Sequence, residues 1–187
     1  MNVILIGMKH CGKTTLGSAL AARWECPFHD VDRMIEKCNE RGTGKRLSVR
    51  EIFSAGGEER FHELEAKVVC DLFLSLGDAE GSNVVAVGGR TALNRKVDAL
   101  LSAMGLIVYL EVSPEEMFAR VTRSGLPAFV DEDDPEKHFF ELYRQRAPHY
   151  QRLAALTVNL DGLDPGAALE KLYRCIEEHG RTGNTGR

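Results

Sequence analysis

The apolar run Val3-Ile4-Leu5-Ile6 leads straight into Gly7-Met8-Lys9-His10-Cys11-Gly12-Lys13-Thr14, and a segment of helical period follows. This is G-x-x-x-x-G-K-[ST] in the order strand, loop, helix, the context a phosphate-binding loop requires. Its glycines let the backbone wrap an anion, while successive N–H groups and the helix N-terminus converge on phosphate oxygens. The chain is therefore expected to bind a nucleoside triphosphate through Gly7, Lys9, Cys11, Gly12, Lys13, Thr14 and Thr15. Lys13 would reach the β and γ phosphates, and the Thr14 hydroxyl would hold Mg2+ between them.

The rest of the pattern fits the same fold class. Short apolar runs alternate with longer helical segments, which is the signature of a parallel sheet covered by helices. Five strands are expected: Asn2 to Ile6, a short one near Pro27 to His29, Asn83 to Val87, Leu106 to Glu111, and Leu156 to Leu160. Between them, Leu16 and Leu20 mark one helix face, and Phe61, Leu64, Val68, Leu72 and Leu76 mark another. Three helix starts read as a capping residue followed by proline: Ser113-Pro114, Asp134-Pro135 and Asp164-Pro165. Arg41 to Ser48 reads as a loop within a helical insertion, Ser124 to Asp133 as an irregular stretch ending in acids, and 180–187 as a disordered tail. The acidic run from Asp131 to Asp134 reads as a solvated loop and helix cap. Residues 1–179 thus predict a single three-layer α/β domain.

Composition narrows the partners. A chain of 187 residues with 43% apolar and 28% charged side chains can bury one sizeable core. Its 24 basic and 28 acidic residues give a net charge of −4, so no broad field draws it to nucleic acid or to anionic lipid. The five cysteines are scattered without metal-ligand or disulfide spacing, which suits a reducing compartment; Cys11 reads as a passive loop position rather than an oxidisable thiol. The six histidines form no metal-binding or nucleophilic constellation. With the first strand starting at residue 2, and with no apolar run of spanning length, the expectation is a cytoplasmic protein without a signal peptide.

Past the second strand stands Phe28-His29-Asp30-Val31-Asp32. Ligands of open α/β sheets bind beyond the carboxyl ends of strands, so both aspartates should face the crevice of the phosphate loop. One carboxylate could hold a magnesium-bound water while the other accepts a hydrogen bond from a substrate hydroxyl. A helix cap beside a solvated acid would read the same way.

The phosphate loop, F-x-D-x-D-x-x-I-E from Phe28 to Glu36, Ile52-Phe53, Gly57-Glu58, Phe61 and Glu65, Val87-Gly88-Gly89, and Arg146-x-Pro148-x-Tyr150 appear in one order. Over nearly its whole length the chain resembles the shikimate kinase family. The resemblance implies a five-stranded parallel sheet flanked by helices, a substrate-binding insertion at about 33–61, and a mobile lid at about 123–135. It implies transfer of the ATP γ-phosphoryl group to the 3-hydroxyl of shikimate, a step toward aromatic amino acids, by a monomer. Asp32 would contact the attacking hydroxyl, Asp30 would support Mg2+ through water, and Lys13 would stabilise charge on the transferred group. Arg120 would flank the nucleotide, and Asp32, His62, Gly88, Gly89, Arg90 and Arg146 would line the substrate site, with Arg146 pairing the substrate carboxylate.

Three positions depart from the family pattern. His62 stands where an arginine follows the phenylalanine, Arg90 stands in place of a third glycine, and Leu126-Pro127-Ala128-Phe129 replaces an arginine-bearing lid string. Arg90 could take over part of the anion recognition that His62 cannot supply, or could equally block shikimate and select a smaller or differently placed acid; Arg123 could substitute for the lid cation or be a solvated cation at a helix end. Two other readings share these residues: a kinase of another hydroxylated acid or sugar, and an ATP-binding regulatory protein with weak catalysis.

Overall fold

The computed structural model describes residues 1–77, 81–123 and 134–183. All five strands are parallel and lie in the order β2-β3-β1-β4-β5. They are β1 (Asn2–Ile6), β2 (Phe28–Asp30), β3 (Asn83–Ala86), β4 (Leu106–Glu111) and β5 (Leu156–Asn159). Each boundary falls within one residue or so of its expected place. β1 is central, and Val3, Ile4, Leu5 and Ile6 are all fully buried. A strand covered on both faces reads as a continuous apolar run rather than an alternating one, which is why this segment was legible.

Seven helices flank the sheet among the described residues: α1 (Lys13–Arg23), α2 (Val31–Thr43), α3 (Val49–Gly77), α4 (Asp98–Met104), α5 (Pro114–Arg123), α6 (Pro135–Leu153) and α7 (Pro165–Gly183). All three proline starts hold. Asp134 accepts from the Lys137 N–H at 3.2 Å, and Asp164 accepts from Gly166 and Ala167 at 2.8 and 3.0 Å. On α3 the expected stripe is buried at Phe61, Val68, Leu72 and Leu76, with Leu64 half-buried beside it. None of these helices is long and apolar enough to cross a membrane.

Two expectations are corrected. Helix α2 continues through Thr43 and ends at Gly44 in the left-handed conformation, so the loop expected from Arg41 begins three residues later. Helix α7 runs through Gly183, so the tail expected from 180 is helical over its first four residues; residues 184–187 lie outside the described residues. So do the lid's Leu126 string and the acids 131–133, and only the ends of the expected lid, Arg123 and the Asp134 cap, are described.

The chain leaves β1 toward β2 and leaves β4 toward β5, in opposite directions from the middle of the sheet. Such a reversal opens a crevice at the carboxyl ends of the central strands. The phosphate loop after β1, the β2–α2 junction and the turn after β3 all arrive there.

Candidate active site

Gly7 has φ of 142°, and a Cβ there would stand 2.8 Å from the Leu110 carbonyl oxygen and 3.0 Å from Cys11 Sγ. Only glycine lets the loop turn away from the sheet at this point. Helix α1 then begins at Lys13, whose side chain curls back over the loop. Its Nζ donates to the carbonyls of Gly7 and Met8 at 2.9 and 2.8 Å, with Cys11 Sγ at 3.8 Å. The ammonium is thereby held at the loop's concave face although Lys13 is only 8% exposed. Such burial is tolerated because each donor meets an acceptor.

Asp30 is the cap that its pattern allowed, and it also bonds the phosphate loop. Its Oδ1 accepts from the Arg33 N–H at 3.2 Å and caps α2, while its Oδ2 accepts from Thr14 Oγ1 at 2.9 Å. Thr14 and Asp30 therefore present adjacent hard oxygens at the mouth of the phosphate loop. That donor set fits Mg2+, which takes one or two protein oxygens and completes its octahedron with water and phosphate.

Asp32 sits in the first turn of α2. Burial lifts its pKa above the usual 3.8; Lys13 pulls it back, and Asp30 and Glu65 push it further up. Gly88 makes room for this carboxylate, since a Cβ at residue 88 would come under 3.0 Å from Asp32 Oδ1 and stand 2.9 Å from Thr91 Oγ1. Glu65 is 1% exposed and accepts from Thr91 Oγ1 at 2.7 Å and from Asn94 Nδ2 at 2.9 Å. Those bonds tie α3 to the turn after β3 and so fix the wall against which Asp32 rests.

The far wall comes from α6. Tyr150 is fully buried, and its hydroxyl donates to the Gly89 carbonyl. Burial raises the Tyr150 pKa, which keeps the donor protonated, and Arg146 acts in the opposite direction. Arg146 lies one helical turn earlier and lines the cleft; burial lowers its pKa, opposed by Tyr150 and reinforced by Arg90. Arg90 Nη2 donates to Glu58 Oε1 at 2.8 Å, and its guanidinium lies 4.4 Å over the Phe53 ring.

These parts enclose one cleft of about 800 Å³, in the range of small-molecule sites. Lys9, Gly12, Lys13, Thr14 and Thr15 line one end. Asp30, Asp32, Gly88, Gly89, Arg90 and Arg146 line the rest, and Arg120 and Arg123 reach it from α5. Gly7, Cys11 and His62 do not line it. Cys11 is 1% exposed beneath the loop, and the His62 ring is 4.0 Å from Glu58 Oε1, with its backbone carbonyl accepting from Asn94 Nδ2 at 3.1 Å. Sequence reasoning passed over Arg50, which lines the cleft, and the structural role of Glu65. For Glu65 a signal existed: a carboxylate four residues after Phe61, on the buried stripe of α3, needs partners.

The family model for shikimate kinase matches residues 9–177. The chain belongs to the shikimate kinase family. A shikimate kinase of Vibrio vulnificus is 33% identical over 177 residues, 95% of this chain and 96% of that protein. One from Burkholderia thailandensis is 34% identical over 159 residues, covering 84% of this chain and 80% of its own. Among solved structures, the shikimate kinase from Acinetobacter baumannii, in complex with shikimate, superposes with a TM-score of 0.77 at 28% identity, covering 95% of this chain and 93% of that one. The enzyme from Bacteroides thetaiotaomicron also gives 0.77, at 26% identity, with 95% and 98% covered. As a shikimate kinase family member, the chain is a phosphotransferase with an alcohol acceptor and carries the family's parallel α/β fold.

Proposed function

We propose that this protein transfers the γ-phosphoryl group of ATP to the 3-hydroxyl of shikimate, acting as a cytoplasmic monomer. The observation that carries the reading is the placement of Lys13 and Asp32 in one cleft, an ammonium on the phosphate side and a half-buried carboxylate in the same cavity. Phosphoryl transfer asks little covalent chemistry of a protein and much positioning and electrostatics. Asp32 orients the acceptor hydroxyl, and its Oδ takes the proton as the oxygen attacks phosphorus. A carboxylate whose pKa is lifted by burial is a stronger base than one in water, and Gly88 leaves it room to reach the hydroxyl. Lys13 offsets negative charge that grows on the transferred group, from a position already fixed by the loop carbonyls. Thr14, and Asp30 through water, would hold Mg2+, which supplies charge neutralisation across the β and γ phosphates. Arg120 flanks the nucleotide, and Arg146 pairs with the substrate carboxylate through the planar fork that lysine lacks.

The test is ADP release measured with and without shikimate. The reading expects ATP consumption that depends on shikimate and yields one phosphorylated shikimate per ADP; ATP turnover indifferent to shikimate would refute it. Arg90, on the cleft wall, favours one second reading, a differently shaped hydroxy acid as acceptor. The same assay run with a panel of such acids separates the two.

A further inference from the structure

Two guanidinium groups, those of Arg90 and Arg146, line the same cleft. The Tyr150 hydroxyl bound to the Gly89 carbonyl brings α6 against the turn after β3. Arg146 lies one helical turn before Tyr150, and Arg90 lies one residue after Gly89, so the same contact brings both residues to one region of the cleft wall. Their proximity is felt electrostatically, since Arg90 lowers the pKa of Arg146. Paired cations gain by sharing an anion between them. Arg90 already binds a carboxylate, that of Glu58, at 2.8 Å, with its plane resting on the Phe53 ring. A guanidinium stacked on an aromatic face loses little freedom on binding, so the orientation is prepared in advance.

The carboxylate bound there is loosely held. The Glu58 side chain is 61% exposed and that of Arg90 37%. Ion pairs this open to water contribute little to stability. Glu58 also follows Gly57, whose φ of 74° and ψ of 178° break the helical path of α3, so it stands at a joint rather than within a rigid turn.

We infer that Glu58 is an internal stand-in for the substrate carboxylate: it occupies Arg90 until the acid arrives, and Arg90 then joins Arg146 in binding that acid. The inference rests on the shikimate reading given above. It makes Arg90 a substrate-binding residue and Glu58 a competitor built into the site. Removing the competitor strengthens substrate binding; removing Arg90 weakens it.

The experiment compares wild type, Glu58→Gln, Arg90→Gln and the double variant, with KM and kcat for shikimate, for its carboxamide and for ATP. Calorimetric binding of shikimate and a melting curve accompany each. Glu58→Gln is expected to lower the KM for shikimate by about two- to fivefold, the range of an exposed ion pair. Arg90→Gln is expected to raise it about tenfold to a hundredfold, as for loss of a charge-assisted hydrogen bond. In the double variant the benefit of Glu58→Gln disappears, and with the neutral carboxamide neither change shifts KM by more than about twofold. A KM for shikimate that is unchanged or raised in Glu58→Gln, with a melting curve like wild type, overturns the inference. Failure of the wild type to bind or phosphorylate shikimate overturns the functional reading together with it, so the two failures are told apart by the wild-type measurement.

Discussion

The two ends of the cleft are built in opposite ways. At the phosphate end a single stretch, from Gly7 to Thr15, supplies the turn, the ammonium, the hydroxyl and the helix start. At the end proposed to bind the acid nothing is contiguous: Asp32 comes from α2, Phe53 and the Arg90 partner Glu58 from α3, Gly88 to Arg90 from the turn after β3, and Arg146 from α6. The phosphate end needs one strand and one helix to be correct, whereas the acid end needs the whole sheet order and the packing of α6. Common chemistry can therefore be encoded locally, and the identity of the acceptor is left to long-range contacts that can vary independently.

The seam between the ends is where the largest effect is expected. Asp32→Asn removes the proton acceptor and should lower kcat by about 10²- to 10⁴-fold in a coupled ADP assay, with ATP binding retained. An equal loss of ATP affinity would erase the distinction between the ends. Gly88→Ala places a methyl group against the same carboxylate. Misplacement by about 1 Å costs on the order of 10²-fold in turnover, so this variant should behave as a milder Asp32 lesion with the acid's KM little changed. Arg146→Lys should raise the KM for shikimate about tenfold to a hundredfold while leaving that for ATP alone. A parallel rise in both would break the comparison.

Smaller effects sharpen it. Tyr150→Phe leaves the Gly89 carbonyl without its donor, at a cost of about 1–3 kcal/mol in stability. For a chain of this size each kcal/mol corresponds to roughly 2–4 °C in melting temperature. The variant should also raise the KM for shikimate more than that for ATP, because the hydroxyl bonds the turn after β3 directly, while its contact with Met8 Sδ in the phosphate loop is a weak one at 3.7 Å.

The pH dependence carries two signs. With Asp32 as the proposed ionised base, kcat/KM for shikimate should fall as pH drops through its folded pKa, which burial raises above the usual 3.8. For stability, the folded state holds that proton more tightly than the unfolded chain does. The buried charge therefore costs stability at neutral pH, and this cost fades as pH falls through the folded pKa. Asp32→Asn should melt higher than wild type at pH 7 and lose that advantage near pH 4, which a melting series across that window would check. A higher melting point for wild type at pH 7 would mean that Lys13 outweighs the burial cost.

The same contrast explains what the sequence disclosed. β1 and the loop after it were legible because a fully buried parallel strand and a glycine-bounded anion site leave compact local marks. The proline-led helices were legible because their caps lie within four residues of the start. Thr14 paired with Asp30 was foreseeable in kind, since both belong to segments ending at the same sheet edge. The bonds of Glu65 to Thr91 and Asn94, of Tyr150 to Gly89, and of Arg90 to Glu58 span 26 to 61 residues and depend on how helices lie across the sheet. His62 was expected in the substrate wall from its place in a motif, yet it does not line the cleft; its ring lies 4.0 Å from the carboxylate that Arg90 holds. The ends of α2 and α7 were misjudged because glycine and basic residues at a helix terminus look alike whether the last turn is formed or frayed.

The most direct measurement is a crystal structure with a non-hydrolysable ATP analogue, Mg2+ and shikimate bound together. The account predicts an Asp32 carboxylate oxygen at about 2.6–3.2 Å from the 3-hydroxyl, with that hydroxyl in line with the γ-phosphorus and Lys13 Nζ on the γ-phosphate. An Asp32 side chain turned away from the acceptor, with the hydroxyl held by other groups, would contradict it.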